Sequence, residues 1–365
     1  MKNLAIVASA ALGLTGFALI CAETPLTALL VLSKGDHTLA IVNPETLKVL
    51  ARFPSGPDPH EVIASSDGNL AFISNYGGGA YNTLTVVDLL HQKTLPTVDL
   101  GALRGPHGLT FVGGKVWFTA EAAKAIGSYD PATKQINFIL GTGQDRTHMI
   151  FVLPDEKRIV TSNVSSATMS LIEKVNRRPG FGPGPGGPPP PGGPGGPPPG
   201  APPGPGPGAP MGPPSGDWSE TVVPVGRGAE GFDISPDGKE IWAANAQDGT
   251  ISVLDYAAKK VVATLDANVR SANRLKFTPD GKLVFVSTLG GSDLVVFDAS
   301  ERNEVKRISI GHGAAGIQMQ PDGARAYVAC TPDNYVAIVD LKSLAVTGHI
   351  DAGKQPDGLA WVVRQ

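Results

Sequence analysis

Cysteine is almost absent from this chain, with two in 365 residues, and that excludes a scaffold held together by disulfides. Charge is sparse as well: 17% of residues are charged and the formal net charge is −3. Without a basic excess there is no field to neutralise a phosphate backbone, so nucleic acid is not an expected partner. Aromatic residues make up 6% and fall at strand-core positions such as Phe72, Trp242, Phe285 and Tyr327, which leaves no stacking platform for bases. Also missing are a G-x-S-x-G nucleophile elbow, a CxxCH haem attachment and a phosphate-binding glycine loop. What is plentiful is apolar: 41% of residues are hydrophobic, enough for a large core.

One long apolar run exists, Leu4 to Ile20, preceded by Lys2 and followed by small residues around Ala22. This is the layout of a secretory signal, expected to occupy residues 1–22. About 20 apolar residues are enough to span a bilayer, but the glycines and small residues of the run favour cleavage. Ile20 stands where a lipoprotein signal needs a small residue, so Cys21 is not an expected lipidation site. Cleavage after Ala22 removes Cys21 and leaves Cys330 without an intramolecular partner. The mature chain is therefore expected to be a periplasmic or secreted monomer with no membrane span.

Internal repetition dominates the remainder. The segments AEGFDISPDGKEIWAAN (229–245), ANRLKFTPDGKLVFVST (272–288) and AAGIQMQPDGARAYVAC (314–330) align without a gap, and Asp237, Asp280 and Asp322 are spaced 43 and 42 residues apart. Weaker copies are PHEVIASSDGNLAFISN (59–75), PHGLTFVGGKVWFTAE (106–121) and THMIFVLPDEKRIVTSN (147–163). Each unit reads as an apolar strand, a tight turn, a second apolar strand, a polar loop and a third strand carrying VVD, VLD, VFD or IVD. That is a four-stranded antiparallel blade. The interval from Asp155 to Asp237 is longer because residues 179–216 are almost wholly proline and glycine. Lacking charge and a fixed Gly-X-Y period, they are expected to form a locally extended insert within one blade, and not collagen. Such an insert is either a tolerated loop expansion or a spacer toward an envelope partner.

Six units begin inside the chain. QPDGLAWVVRQ at the C-terminus reads as a first strand, and LLVLSKGDHTLAIVNPETLKVLARF supplies three more. Joined, they make a seventh blade and close the ring, which hides sheet edges. The expected fold class is all-β, a single seven-bladed β-propeller over residues 26–365 with its last blade closed by the N- and C-terminal strands.

The repeat resembles the YVTN family of β-propeller repeat proteins. The resemblance lies in the tetrapeptides that end the second strand, FISN, WAAN, FVST and YVAC, with the PDG turns before them and VVD, VLD, VFD and IVD after them. It covers nearly the whole mature chain, implies the propeller fold and a secreted or periplasmic setting, and says little about activity.

Stacking the units places His60, His107, His148, Glu230, Asn273, Ala315 and Asp357 at one position around the blades, near the start of the innermost strand, where a propeller's channel opens. Imidazoles on three adjacent blades with carboxylates beside them are a ligand set for a divalent metal such as zinc or copper. His60, His107 and His148 are therefore candidate metal ligands, with Glu121 or Glu230 as a fourth ligand or a catalytic base. A second ring is read at the end of the second strand as Lys34, Asn75, Glu121, Asn163, Asn245, Thr288 and Cys330. Its asparagines are the residues such a turn ordinarily carries, and Cys330 reads as a small buried residue. Three residues before the first ring, Arg104, Arg227, Arg270, His312 and Lys354 form a basic collar set against Asp145. Arg104, Arg227 and Arg270, together with Asp357, are candidate contacts for a small anionic ligand.

Two functions fit this pattern. The preferred one is a binding module outside the cytoplasm that presents the His/carboxylate-lined mouth to a metal, a small anion, or an envelope or extracellular partner. The other is a metal-dependent lyase or hydrolase using the same ring, since streptogramin lyases and regucalcin-like lactonases resemble it in architecture, though not in motif.

Overall fold

The computed structural model describes residues 24–176 and 216–364; the expected signal segment and nearly all of the Pro/Gly insert lie outside them. The described residues form seven four-stranded antiparallel sheets. Helix among them is limited to two 3-10 turns, Gly77–Gly79 and Glu121–Ala123. The arrangement is a seven-bladed β-propeller. The strand Pro356–Val363 pairs with Thr27–Ser33, bringing Thr27 opposite Val363 and Ser33 opposite Pro356, so the two ends of the chain close one blade between them. With that sheet as blade 1, the inner strands of blades 2 to 7 are Pro59–Ala64, Pro106–Val112, Thr147–Val152, Ala229–Ile234, Ala272–Phe277 and Ala314–Met319.

Burial peaks in the middle strands of each blade and is least at its outer edge. Second strands such as Leu70–Asn75 and Glu240–Asn245 are buried along nearly their whole length because blades cover both faces, whereas the outermost strands alternate, as in Gln135–Gly141 and Lys260–Asp266. The few aromatic residues are concentrated in the core. Phe72, Trp117, Trp242, Phe285 and Tyr327 take the same second-strand position in five blades and are buried between neighbours, each contributing roughly 1.5–3 kcal/mol of burial. The Asp-Gly turns are built as the sequence suggests: the Thr278 hydroxyl and the Lys282 N–H donate to Asp280 at 2.7 and 3.1 Å, and Gly281 adopts φ 73, a conformation that a side chain disfavours.

In blade 4 the strands Thr168–Asn176 and Gly216–Pro224 pair in register with Asn176 opposite Gly216. That end of the strand pair lies at the face opposite the one where Thr147, Asn163 and Thr168 lie side by side. Cys330 is fully buried, and burial pushes its thiol up to about 12.

Candidate metal centre

Each inner strand carries the same distortion. In blade 2, Pro59 pairs with Asn75 and Val62 with Ile73, so His60 and Glu61 together face Ser74. The same two-against-one register recurs in the other six blades. Such a β-bulge re-aims a side chain. Two residues before each bulge the backbone is left-handed: Asp58, Gly105, Arg146, Gly228, Ser271, Gly313 and Gln355 all have φ between 46 and 76°. Together these turn His60, His107, His148, Glu230, Asn273, Ala315 and Asp357 into one cavity of about 320 Å³ at the channel mouth.

Hydroxyls opposite the bulges tie the blades together. Ser74 accepts the Glu61 N–H at 3.1 Å and donates to the His107 carbonyl of the next blade at 2.8 Å. Thr119 accepts from Gly108 at 2.9 Å and donates to the His148 carbonyl at 2.7 Å. Ser162 and Ser287 do the same toward the carbonyls of Glu230 and Ala315. The ring side chains are thereby held from the backbone.

His148 is the centre of the site and is 3% exposed. Its Nε2 lies 2.8 Å from Glu230 Oε2, and its Nδ1 makes a short contact with Glu121 Oε1. Burial works to discharge the ring, but the Glu230 charge and the hydrogen bonds to both carboxylates prevail and raise its pKa above the ordinary histidine value. When the ring is protonated, each nitrogen has a carboxylate to donate to. Glu230 responds in the opposite sense: burial would raise it, but the charge and hydrogen bond of His148, with Arg274 and Arg146, hold it at about 2. Glu121 is likewise lowered against burial by His148. Its Oε2 accepts the Tyr76 hydroxyl and lies 3.5 Å from Arg146 Nε.

His107 packs against His148 with ring centres 3.8 Å apart and planes tilted by 36°. Burial, then the charge on His148, push its pKa well below the ordinary value, so the ring is neutral. Its Nδ1 is buried without a hydrogen-bond partner, the state of an imidazole ready to bind a metal. One ring nitrogen each from His107 and His148 and one oxygen of Glu121 lie within 4.8 Å of one another, and all three residues are buried.

His60 lies with its ring centre 4.8 Å from that of His107, but its nitrogens face an ionic cluster. Its Nε2 is 2.9 Å from Lys34 Nζ and 3.2 Å from Asp58 Oδ1, and its Nδ1 is 3.8 Å from Asp357 Oδ2. The structure therefore pairs two of the three ring histidines with Glu121 and turns the third toward Asp58 and Asp357. The strand pairing also revises the second ring. Ser33, Asn75, Ala120, Asn163, Asn245, Thr288 and Cys330 share one level, and Lys34, Tyr76 and Glu121 form the next level up. This is why Lys34 and Glu121 reach the site while the asparagines do not: Asn75 donates to Thr83 and Thr85, and Asn163 to Thr168 and Ser170.

Arg104, Arg227 and Arg270 are exposed and do not line the cavity; Arg227 is paired with Asp248 at 2.7 Å. The arginines at the mouth are Arg146 and Arg274, the latter bonded to Glu61 across the channel at 2.5 Å. Sequence reasoning missed both, together with Tyr76, although each sits at a fixed offset from a ring or second-strand position.

No family model matches the chain. It is 25% identical over 150 residues to Antigen Lp49 of Leptospira interrogans, a stretch covering 35% of this chain and 33% of that one, so the match spans a third of the relative's length. Among solved structures, a functionally unknown protein from Desulfotomaculum acetoxidans superposes with a TM-score of 0.68 at 13% identity, over 93% of this chain and 99% of that one. A candidate 6-phosphogluconolactonase from Bacteroides fragilis gives a TM-score of 0.67 at 16% identity, over 92% and 98%. At such identities the likeness is one of fold alone, and it supports the seven-bladed β-propeller.

Proposed function

We propose that this propeller is a binding module that holds a divalent transition metal, zinc or copper, in the His107–Glu121–His148 group at its channel mouth. One observation carries the reading: a buried, neutral His107 with a partnerless Nδ1 stands against a buried His/Glu pair, the three offering ligand atoms within 4.8 Å of one another. The surroundings suit a metal. Glu230 on His148 Nε2 is the carboxylate partner that a ligating histidine ordinarily has, which leaves Nδ1 to exchange its proton for the ion. Tyr76 and Arg146 steady the far oxygen of Glu121.

The hydrolase or lyase reading is less favoured. A carboxylate held at about 2, as Glu230 is, is a weak general base near neutral pH, and Glu121 is lowered in the same direction. The YVTN-like tetrapeptides and the apolar segment Leu4–Ile20 support a secreted or periplasmic setting for the module.

Calorimetric titration of chelator-stripped protein with zinc and with copper tests this. One site tighter than about 1 µM is expected, weakened about 100-fold or more in His107→Ala and only a few-fold in His60→Ala. If neither metal binds tighter than millimolar, or His107→Ala binds as the wild type does, the metal centre is wrong.

A further inference from the structure

We propose that the metal-loaded mouth captures a small oxyanion, a carboxylate or phosphate group, as an additional metal ligand, with Arg146 as its anchor. The inference rests on the metal reading above. Arg146 occupies a left-handed backbone position, φ 54, at which three other blades carry glycine. Asp58, Ser271 and Gln355 adopt the same conformation in the other three blades, so the position is a feature of the fold, and in blade 4 it brings the Arg146 side chain into the lining of the mouth.

The Arg146 guanidinium is not saturated by the protein. It stands 3.5 Å from Glu121 Oε2 and 3.8 Å from Glu230 Oε1, inside ion-pair range but beyond good hydrogen-bond length, and its side chain is 43% exposed. Both carboxylates have closer partners, Tyr76 and His148 for Glu121 and His148 for Glu230. Donors therefore remain for a ligand, and a planar guanidinium matches the paired oxygens of a carboxylate or phosphate. A divalent ion set among His107, His148 and Glu121 takes over the negative charge that Arg146 now balances. The guanidinium is then in surplus, and three protein ligands leave a coordination position for an outside group.

The cavity also limits what can enter. Its volume of about 320 Å³ equals roughly ten waters, so the ligand has on the order of ten non-hydrogen atoms. On blades 6 and 7 the lining is Asn273, Leu289, Gly313, Ala315, Thr331 and Pro332 beside Arg274, whose charge is met by Glu61, and this side accommodates the body of such a ligand.

The test uses Co²⁺ as a visible reporter. Metal-free and Co²⁺-loaded protein are titrated with acetate and, separately, with inorganic phosphate, following the cobalt absorption band and the heat of binding. At least one anion should perturb the band and bind the loaded protein ten-fold or more tighter than the metal-free protein; which one does so distinguishes carboxylate from phosphate. In Arg146→Gly the two affinities should move in opposite directions: Co²⁺ binds tighter because a cation is removed from beside the site, and the anion binds at least ten-fold weaker. Loaded protein that takes neither anion, or an Arg146→Gly variant that binds the anion as well as the wild type, overturns the inference while leaving the metal site standing. Failure to take up Co²⁺ removes the metal reading and this inference with it.

Discussion

At the scale of single residues, the site is a contest between a proton and a metal for His148. Two carboxylates keep its ring protonated above the ordinary histidine range, so a metal that binds there must expel a proton. Zinc affinity should rise about ten-fold per pH unit until that raised pKa is passed, with about one proton released, read by calorimetry in buffers of different ionisation heat. An affinity that is flat from pH 6 to 8 would show that no proton is displaced. Glu230 works through the opposite sign. Its pKa falls from 4.5 to about 2 on folding, so its contribution is complete above pH 4.5 and is lost as pH drops toward 2. With its side chain 17% exposed, that contribution is on the order of 3 kcal/mol. Urea midpoints measured from pH 5 to 2 should fall less steeply in Glu230→Gln than in the wild type; parallel curves would refute the linkage. The ring histidines were legible in the sequence because each is the second residue of an aligned repeat segment, in PHEV, PHGL and THMI, just ahead of an apolar strand. Arg146 and Tyr76 were not, because a left-handed residue and the first residue beyond a strand end carry no mark of their direction without the backbone.

At the scale of elements, the hydroxyl opposite the bulge in blades 2, 3, 4 and 6 decides how firmly each of them grips the next. Thr119→Val keeps the shape but strips the Gly108 N–H and the His148 carbonyl of their partner, and Ser74→Ala does so for Glu61 and His107. Each should cost about 1–3 kcal/mol in urea unfolding, and Thr119→Val should also weaken zinc binding because it frees the backbone that aims His148. A Thr119→Val protein with unchanged stability would mean that water replaces the hydroxyl. Blades 5, 7 and 1 carry Ala244, Ala329 and Leu32 at this position, so this bond is confined to the remaining blades. The strands themselves were readable from their alternation. The level of Glu121 was not, because blade 3 turns through Gly113 and Gly114 between the paired residues Val112 and Lys115, a shorter turn than the Asp-Gly turns that set the alignment elsewhere. A shorter turn moves every later residue along the strand, and composition gives no warning of it.

For the whole molecule, closure by the two chain ends followed from the count of strands in the repeats, since seven blades were complete only when the termini were joined. Removing residues 355–365 takes away an inner strand with the buried Leu359, Ala360 and Val362 and bares the edge of Thr27–Ser33. The expected result is loss of the cooperative thermal transition, and a melting temperature within a few degrees of the wild type would contradict it. By contrast, replacing residues 179–215 with a short turn should shift the melting temperature by no more than about 4 °C, because the hairpin they interrupt is already paired at Asn176 and Gly216. A fall of tens of degrees would show that they pack on the propeller. The closing strand pair has a mechanical consequence as well. Thr27 lies opposite Val363, and the Arg364 N–H donates to the Leu26 carbonyl at 2.7 Å, so tension applied between residues 26 and 364 loads the pair from one end. Its hydrogen bonds then break in succession instead of resisting together, and the ring yields as a zipper under weak pulling, before any other blade bears load.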